Sequence, residues 1–421
     1  MTQILIISVL FTAVSLVSLD AQSVVIGRID TEIIGNTSRL MLLTELRIKE
    51  GKEFNSLEDL EKVLVTRAQV LRRRRLFKLF EWRVEPQNPD EVHVFIRIVD
   101  SFTIYPRPLI QYSTDRGLKL GGRLQYNNAF GSLFDWNLEA YWSPGETRMQ
   151  FDVEHIPVGP VDLNLSWEQF NGITRFGDPS GNTDVEYESM HSYLALAADL
   201  PIGPRSFWSY RFEPHMIWRY GEVFYFNTGP YPDSRYIHLG YGIGLRHGFH
   251  YDRVNWKKNF RSGIQIDLEN DNTWYVQNDR GSIIWESDLA GYHPAASWLE
   301  LSGRIGGFAA SRGLRPNAGD RLRGVVDFMT FGKWGAFFTA QTSFRIFHIK
   351  NIGELQIRPF GDFGYVYSDE WGHGASSWEY CAGATGILYI SSLPGLILNV
   401  EWGWDFKRGA PELIIDSRLQ I

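Results

Sequence analysis

The sequence predicts a mainly β protein: a 16-stranded antiparallel transmembrane β-barrel preceded by one small α+β domain. Three observations carry this reading. The first is strict alternation. Over residues 355–367 one face holds Leu355, Ile357, Pro359, Gly361, Phe363, Tyr365 and Tyr367, and the other Gln356, Arg358, Phe360, Asp362, Gly364 and Val366. Alternate side chains of a strand point to opposite faces. Gln356, Arg358 and Asp362 therefore share a polar face behind an apolar one, as lipid outside and a wet lumen inside require. The second is composition: 15 Trp, 19 Tyr, 27 Phe and 40 Gly, with no apolar run beyond the first twenty or so residues long enough to cross a membrane as a helix. The third is the alternation of Leu413, Ile415, Ser417, Leu419 and Ile421. A last strand that pairs with the first leaves no edge in lipid.

Along the chain, residues 1–22 read as a secretory signal peptide. They carry an apolar run from Ile4 to Leu19 and small residues near Ala21, after which cleavage is expected. A short N-terminal anchor helix is the alternative. Residues 23–101 form a compact unit. Residues 24–34 are β-branched and strand-like, and Gly35-Asn36 is a turn. Residues 38–47 are a short apolar helix. Asn55 and Ser56, followed by Glu58 and Asp59, make a capping box for a second helix, in which Leu57, Leu60, Leu64 and Leu71 recur at helical spacing. Residues 78–85 and 91–100 are strands, the latter with Val92, Val94, Ile96 and Ile98 on one face. The expected order is β-α-α-β-β.

From residue 102 to 421 the pattern changes to repeated alternation. Trp136, Leu138, Ala140 and Trp142 alternate with Asp135, Asn137, Glu139 and Tyr141. Phe338, Ala340, Thr342, Phe344 and Ile346 alternate with Thr339, Gln341, Ser343 and Arg345. Leu398, Val400, Trp402 and Trp404 alternate with Asn399, Glu401, Gly403 and Asp405. Short turns such as Ser143-Pro144-Gly145-Glu146 join some strands, and polar stretches at 171–184 and 229–234 read as long loops. Short turns at one end and long loops at the other belong to outer-membrane barrels. A membrane strand needs about 9–11 residues, so strand plus connection takes roughly 20, and about 320 residues yield about 16 strands.

Composition also bounds function. The formal net charge of −7 argues against nucleic acid as the main partner. Cys381 is alone and reads as a packed small residue rather than a reactive thiol. His247 and His250 have a spacing that suits neither one strand face nor a zinc motif. No nucleophile elbow, zinc-protease helix or phosphate loop is present, so the chain is expected to be no enzyme and to use no cofactor or metal. Arg72-Arg73-Arg74-Arg75 with Lys78 closes a predicted helix, where cations favour the dipole. Contact with acidic lipid headgroups, or with a partner beneath the barrel, is the functional alternative.

Several motifs carry a resemblance. Ile34-Gly35-Asn36-Thr37, Ile48-Lys49-Glu50-Gly51, Leu76-Phe77 and the strand at 92–98 look like one POTRA domain. Tyr105-Pro106-Arg107-Pro108 and Asn127-Asn128-Ala129-Phe130-Gly131 look like a barrel entry. Leu322-Arg323-Gly324 resembles an Arg-Gly loop motif, and Phe360-Gly361-Asp362-Phe363-Gly364 a Phe-x-Asp-x-Gly strand motif. Together they resemble the outer-membrane assembly-factor superfamily that includes BamA and TamA, from about Val24 onward. The chain departs from that pattern at Val325, where an aromatic is usual, at Ile421, where Phe or Trp is usual, and in having one POTRA domain rather than several.

The resemblance implies an outer-membrane barrel with its POTRA domain in the periplasm. Its partners would be membrane lipids, unfolded or secreted client proteins, and periplasmic or lipoprotein accessory factors. Clients would be inserted or translocated at the seam between the first strand, near 102–113, and the last, near 413–421. The resemblance further implies that Arg323 and Gly324 of an inward loop meet Asp362 on the wall, with Phe360 and Gly364 fitting around them. Arg312-Gly313 is an alternative loop motif. A dedicated secretion pore, or the barrel module of a patatin-like phospholipase system, is the alternative function.

Overall fold

The computed structural model describes residues 23–418 apart from positions 75, 102, 115–116, 159–160, 178–183, 204–206, 221–223, 227–239, 258, 279, 313–320, 326–331, 350–351, 369–374 and 391–396. The expected signal peptide and the last three residues, 419–421, lie outside that range, as do Arg75 and the side chains of Arg72 and Arg73 from the basic run. The chain forms two compact units that divide near Ser101.

The first unit is a four-stranded sheet with two helices. Its elements are β1 (Val24–Ile34), α1 (Arg39–Leu46), β2 (Glu53–Phe54), α2 (Leu57–Arg73), β3 (Phe77–Asn88) and β4 (Glu91–Asp100). The sheet order is β2-β1-β4-β3, with β1 and β4 parallel. The two-residue β2 was not expected. It pairs only with Val24 and Val25 and is too short for alternation to reveal it. Helix α2 starts where Ser56 Oγ accepts the Asp59 amide at 3.1 Å, an N-cap with acidic residues in the first turn. Leu60, Leu64 and Leu71 of α2 are buried, as are Ile26 and Ile29 of β1 and Val92, Val94, Ile96 and Ile98 of β4. The Gly35-Asn36 turn is held from the end of the neighbouring parallel strand β4. Asp100 accepts the amides of Asn36 and Thr37 at 2.7 and 2.9 Å and the Thr37 hydroxyl at 2.7 Å.

The second unit is a closed antiparallel barrel. Its strands are β5 (Ile104–Ser113), β6 (Gly117–Tyr126), β7 (Asp135–Ser143), β8 (Glu146–Val158), β9 (Val161–Gly177), β10 (Asp184–Pro201), β11 (Trp208–Tyr220), β12 (Phe224–Phe226), β13 (Gly240–Asp252), β14 (Asn255–Lys257), β15 (Phe260–Tyr275), β16 (Arg280–Ala296), β17 (Leu299–Arg312), β18 (Trp334–Ile349), β19 (Gly353–Ser368), β20 (Ala375–Ile390), β21 (Ile397–Asp405) and β22 (Ala410–Arg418). β12 prolongs β11 along β10, and β14 folds back on the first residues of β15. Sixteen strands therefore span the wall. The end where β5 begins is called the near end, and the opposite one the far end.

Side chains sort as the alternation requires. Leu118, Leu120, Trp142, Leu194, Phe212, Met216, Trp285 and Ile305 are exposed on the outside, whereas Lys119, Gln125, Asn137, Gln356, Arg358 and Asp362 are buried on the inside. That inverts a soluble protein and matches a wall facing lipid. The polar stretch at 171–184 is corrected. It is strand as far as Gly177 and again from Asp184, with Gly177 opposite Asp184. The backbone ladder continues there although the apolar pattern has ended, because pairing satisfies the peptide groups whatever the side chains are. The stretch at 229–234 lies outside the described residues.

Candidate functional site

The loop from β17 to β18 turns into the lumen, and its described tip, residues 321–325, lies against the inner wall. Arg323 fastens it. Its amide and Nε donate to Asp362 Oδ2 at 2.7 and 3.1 Å, and its Nη2 donates to Oδ1 at 2.8 Å. Its Nη1 donates to Gln341 Oε1. The Phe360 ring lies 4.0 Å from the guanidinium carbon, close enough for cation–π attraction. The Asp362 side chain is fully buried. A buried carboxylate needs this kind of two-pronged partner, and a planar guanidinium supplies it. Arg321 makes a second tie, from Nη2 to Glu286 on β16 at 2.7 Å.

Glycines let the backbone come this close. Gly324 has φ +72°, a left-handed conformation that side chains disfavour, and a Cβ there would lie 2.9 Å from the Gly403 Cα. A Cβ on Gly364 would lie 2.7 Å from the Leu322 side chain. Around these contacts Leu322, Val325, Phe337, Phe360 and Cys381 form a buried apolar cluster. Val325 is thus packed inside this cluster.

The structure thus brings together Arg323, Gly324, Phe360, Asp362 and Gly364, the five residues singled out in the sequence. Gly313 and the side chain of Arg312, the alternative motif, lie outside the described residues. Six participants had not been assigned: Glu286, Arg321, Phe337, Gln341, Cys381 and Gly403. Gln341 stands directly opposite Phe360 across β18 and β19. A glycine inside an alternating strand, as Gly403 is, marks close backbone approach, and that signal was present at residues 398–404. Cys381 is packed, as expected, and its thiol also donates to the Arg323 carbonyl. We expect maleimide to leave Cys381 unlabelled in the folded barrel and to label it fully after denaturation. Rapid labelling of the native protein would mean that the loop tip is not seated.

Beside the loop tip the lumen holds a cavity of about 730 Å³. Asp267, Glu269, Asp288, Glu401, Glu412 and Asp416 line it, with the arginines Arg261, Arg304, Arg321 and Arg323. Its lining includes Gln111 of β5 and Glu412, Ile414 and Asp416 of β22, the two strands that close the barrel. Among the described residues those strands share three register pairs, Ile414 with Ser113, Ile415 with Tyr112, and Asp416 with Gln111, and the Thr114 amide donates to the Leu413 carbonyl at 3.2 Å. β22 continues to Arg418, and its other neighbour β21 stays paired along that whole length. The two histidines do not converge. His247 meets the Tyr210 hydroxyl at 3.0 Å, while His250 bonds Asp267 at 2.7 Å.

No family model and no curated protein sequence matches the chain. Solved structures do. BamA from Haemophilus ducreyi lacking POTRA domains 1–3 superposes with a TM-score of 0.62 at 14% identity, over 94% of this chain and 84% of that one. CdiB from Escherichia coli superposes with a TM-score of 0.64 at 14% identity, over 93% and 76%. CdiB from Acinetobacter baumannii does so with a TM-score of 0.62 at 15% identity, over 94% and 74%. The shared feature is the fold: a 16-stranded barrel preceded by a small POTRA-like unit.

Proposed function

We propose that this chain is an outer-membrane barrel of the BamA/TamA-like superfamily, which inserts or translocates polypeptides at the bacterial outer membrane through the seam between β22 and β5. Residues 23–101 act as its POTRA domain in the periplasm. The observation that carries the reading is the seam itself. Among the described residues, a closed wall with ladders of nine pairs between β21 and β22 and ten between β5 and β6 is joined by three pairs and one further backbone bond, Thr114 to Leu413, between β22 and β5. In lipid, each unpaired backbone group costs several kcal/mol. The least-paired junction is therefore where the wall opens at least cost, and where an incoming strand finds backbone partners. Burial of the client's apolar face in lipid drives the step without nucleotide or cofactor.

The Arg323–Asp362 tie has a defined part in this scheme. The loop tip spans β18 to β21 from inside, through Gln341, Asp362, Cys381 and Gly403, and so braces the wall up to the strand next to the last. With that arc braced, opening is confined to the seam. In the first unit, β3 pairs with β4 alone among the described residues, and it presents twelve residues of sheet edge. Such an edge accepts an extended client or accessory segment by backbone pairing.

Depletion of the protein in its host, followed by quantitative proteomics of the outer membrane, tests the reading. A broad fall in barrel proteins supports insertion. Loss of one or a few secreted or surface proteins supports translocation by a dedicated pore. An unchanged outer membrane overturns both.

A further inference from the structure

At the near end, the connection from β13 to β15 does not skirt the rim. β14 pairs back on Phe260, Arg261 and Ser262, so residues 255–257 and 259–262 form a small hairpin. This hairpin crosses the inside of the barrel. The wall order is β15-β16-β17-β18-β19, yet the hairpin touches strands as far as β19. The Arg261 amide donates to Glu300 on β17, and Arg261 Nη2 reaches the same carboxylate at 3.2 Å. The Phe260 ring, itself buried, lies 4.7 Å from the Arg345 guanidinium of β18. The Asn259 carbonyl accepts from Gln356 Nε2 of β19 at 3.4 Å.

The wall residues that receive the hairpin are themselves built in. Gln356 is fully buried and also donates to Glu354 at 2.6 Å, and Glu354 is paired with Arg345 at 2.8 Å. Arg261 is further sandwiched by aromatics, with Tyr292 at 4.1 Å and Trp256 at 5.6 Å. Arg261 also lines the luminal cavity, as do the loop-tip residues 321–325.

We propose that this hairpin is a near-end stopper, a closure of the lumen independent of the loop tip. Its fastening suits a closure that must also release. The contacts are polar and aromatic, and their wall partners Glu300 and Gln356 are buried. Ion pairs in such a place gain little net energy over their solvated state, because desolvation offsets attraction. The hairpin is seated by several modest ties rather than by an apolar core. This inference goes beyond the insertion or translocation reading and needs only that the barrel spans a membrane.

Planar-bilayer conductance tests it. The double variant Arg345→Ala, Gln356→Ala removes two of the three receiving groups, keeping Glu300, and leaves Arg323 and Asp362 intact. Its conductance is expected to rise several-fold over the parent barrel, with heat-modifiable gel mobility showing a folded wall. In a Cys381→Ser background, Asn259→Cys and Gln356→Cys joined by a short bifunctional maleimide hold the hairpin to β19. Conductance is then expected to stay at or below the parent level and to lack the larger openings. Equal conductance in the folded double variant and the parent would overturn the proposal. So would large openings that persist when the hairpin is tethered.

Discussion

Arg323→Ala is expected to unseat the loop tip and to lower the stability of the barrel by about 3 kcal/mol, the usual scale for stranding a buried carboxylate. The Asp362 side chain is fully buried and takes three hydrogen bonds from this one residue, two of them from the guanidinium. Truncation keeps the amide bond and removes the other two, together with the stacking on Phe360. Lysine restores charge but not the fork, so Arg323→Lys should fall between alanine and the parent. Asp362→Ala should resemble Arg323→Ala, and the double variant should cost less than their sum because both remove one interaction. The readout is the temperature at which heat-modifiable mobility is lost, together with growth when the variant is the sole copy. An unchanged transition temperature and unchanged growth would contradict the assignment.

Gly403→Val is expected to expel the loop tip while leaving the barrel closed. A Cβ at this position would lie 2.6 Å from the Gly324 Cα and 3.2 Å from the Gly324 nitrogen, both backbone atoms. Gly324 cannot yield easily, since Arg323 before it is tied to Asp362 and its own φ is left-handed. Overpacking of this kind costs about 1–3 kcal/mol where the surroundings can shift. Here the element able to shift is the loop, because β21 is paired with β20 and β22 on both sides. The consequence is measurable at Cys381, which the seated loop covers. Maleimide labelling in the native state should rise sharply in Gly403→Val and less in Gly403→Ala. Continued protection of Cys381 in the valine variant would contradict the contact.

Much of this was legible in the alternation. Period-two patterning needs only that one face meet lipid and the other a wet lumen. Residues 355–367 therefore placed Gln356, Arg358 and Asp362 inside before any pairing was known. The capping residues of α2 and the valines and isoleucines of β4 were readable for the same reason, each being a local consequence of helix or strand geometry. What was not legible depends on contacts between distant segments. Gly403 is one glycine among 40 in the sequence, and its role exists only because Gly324 lies against it. Gln341 reads as one more luminal residue until the arginine of a loop reaches it. The hairpin of residues 255–257 and 259–262 left no pattern, because its ties to Glu300, Arg345 and Gln356 cross the lumen. The polar extension of β9 and β10 was read as loop because a strand that outruns the apolar band loses the pattern that announces it.

The central claim is that the junction of β22 with β5 is the working site. Locking it tests that claim most directly. Ser113 and Ile414 face each other across the seam. Ser113→Cys with Ile414→Cys, in a Cys381→Ser background and as the sole copy in the host, permits a disulfide that reductant reverses. Quantitative proteomics of the outer membrane should show the same losses under oxidising conditions as depletion of the protein, with recovery when reductant is added. A locked seam with a normal outer-membrane proteome would contradict the account.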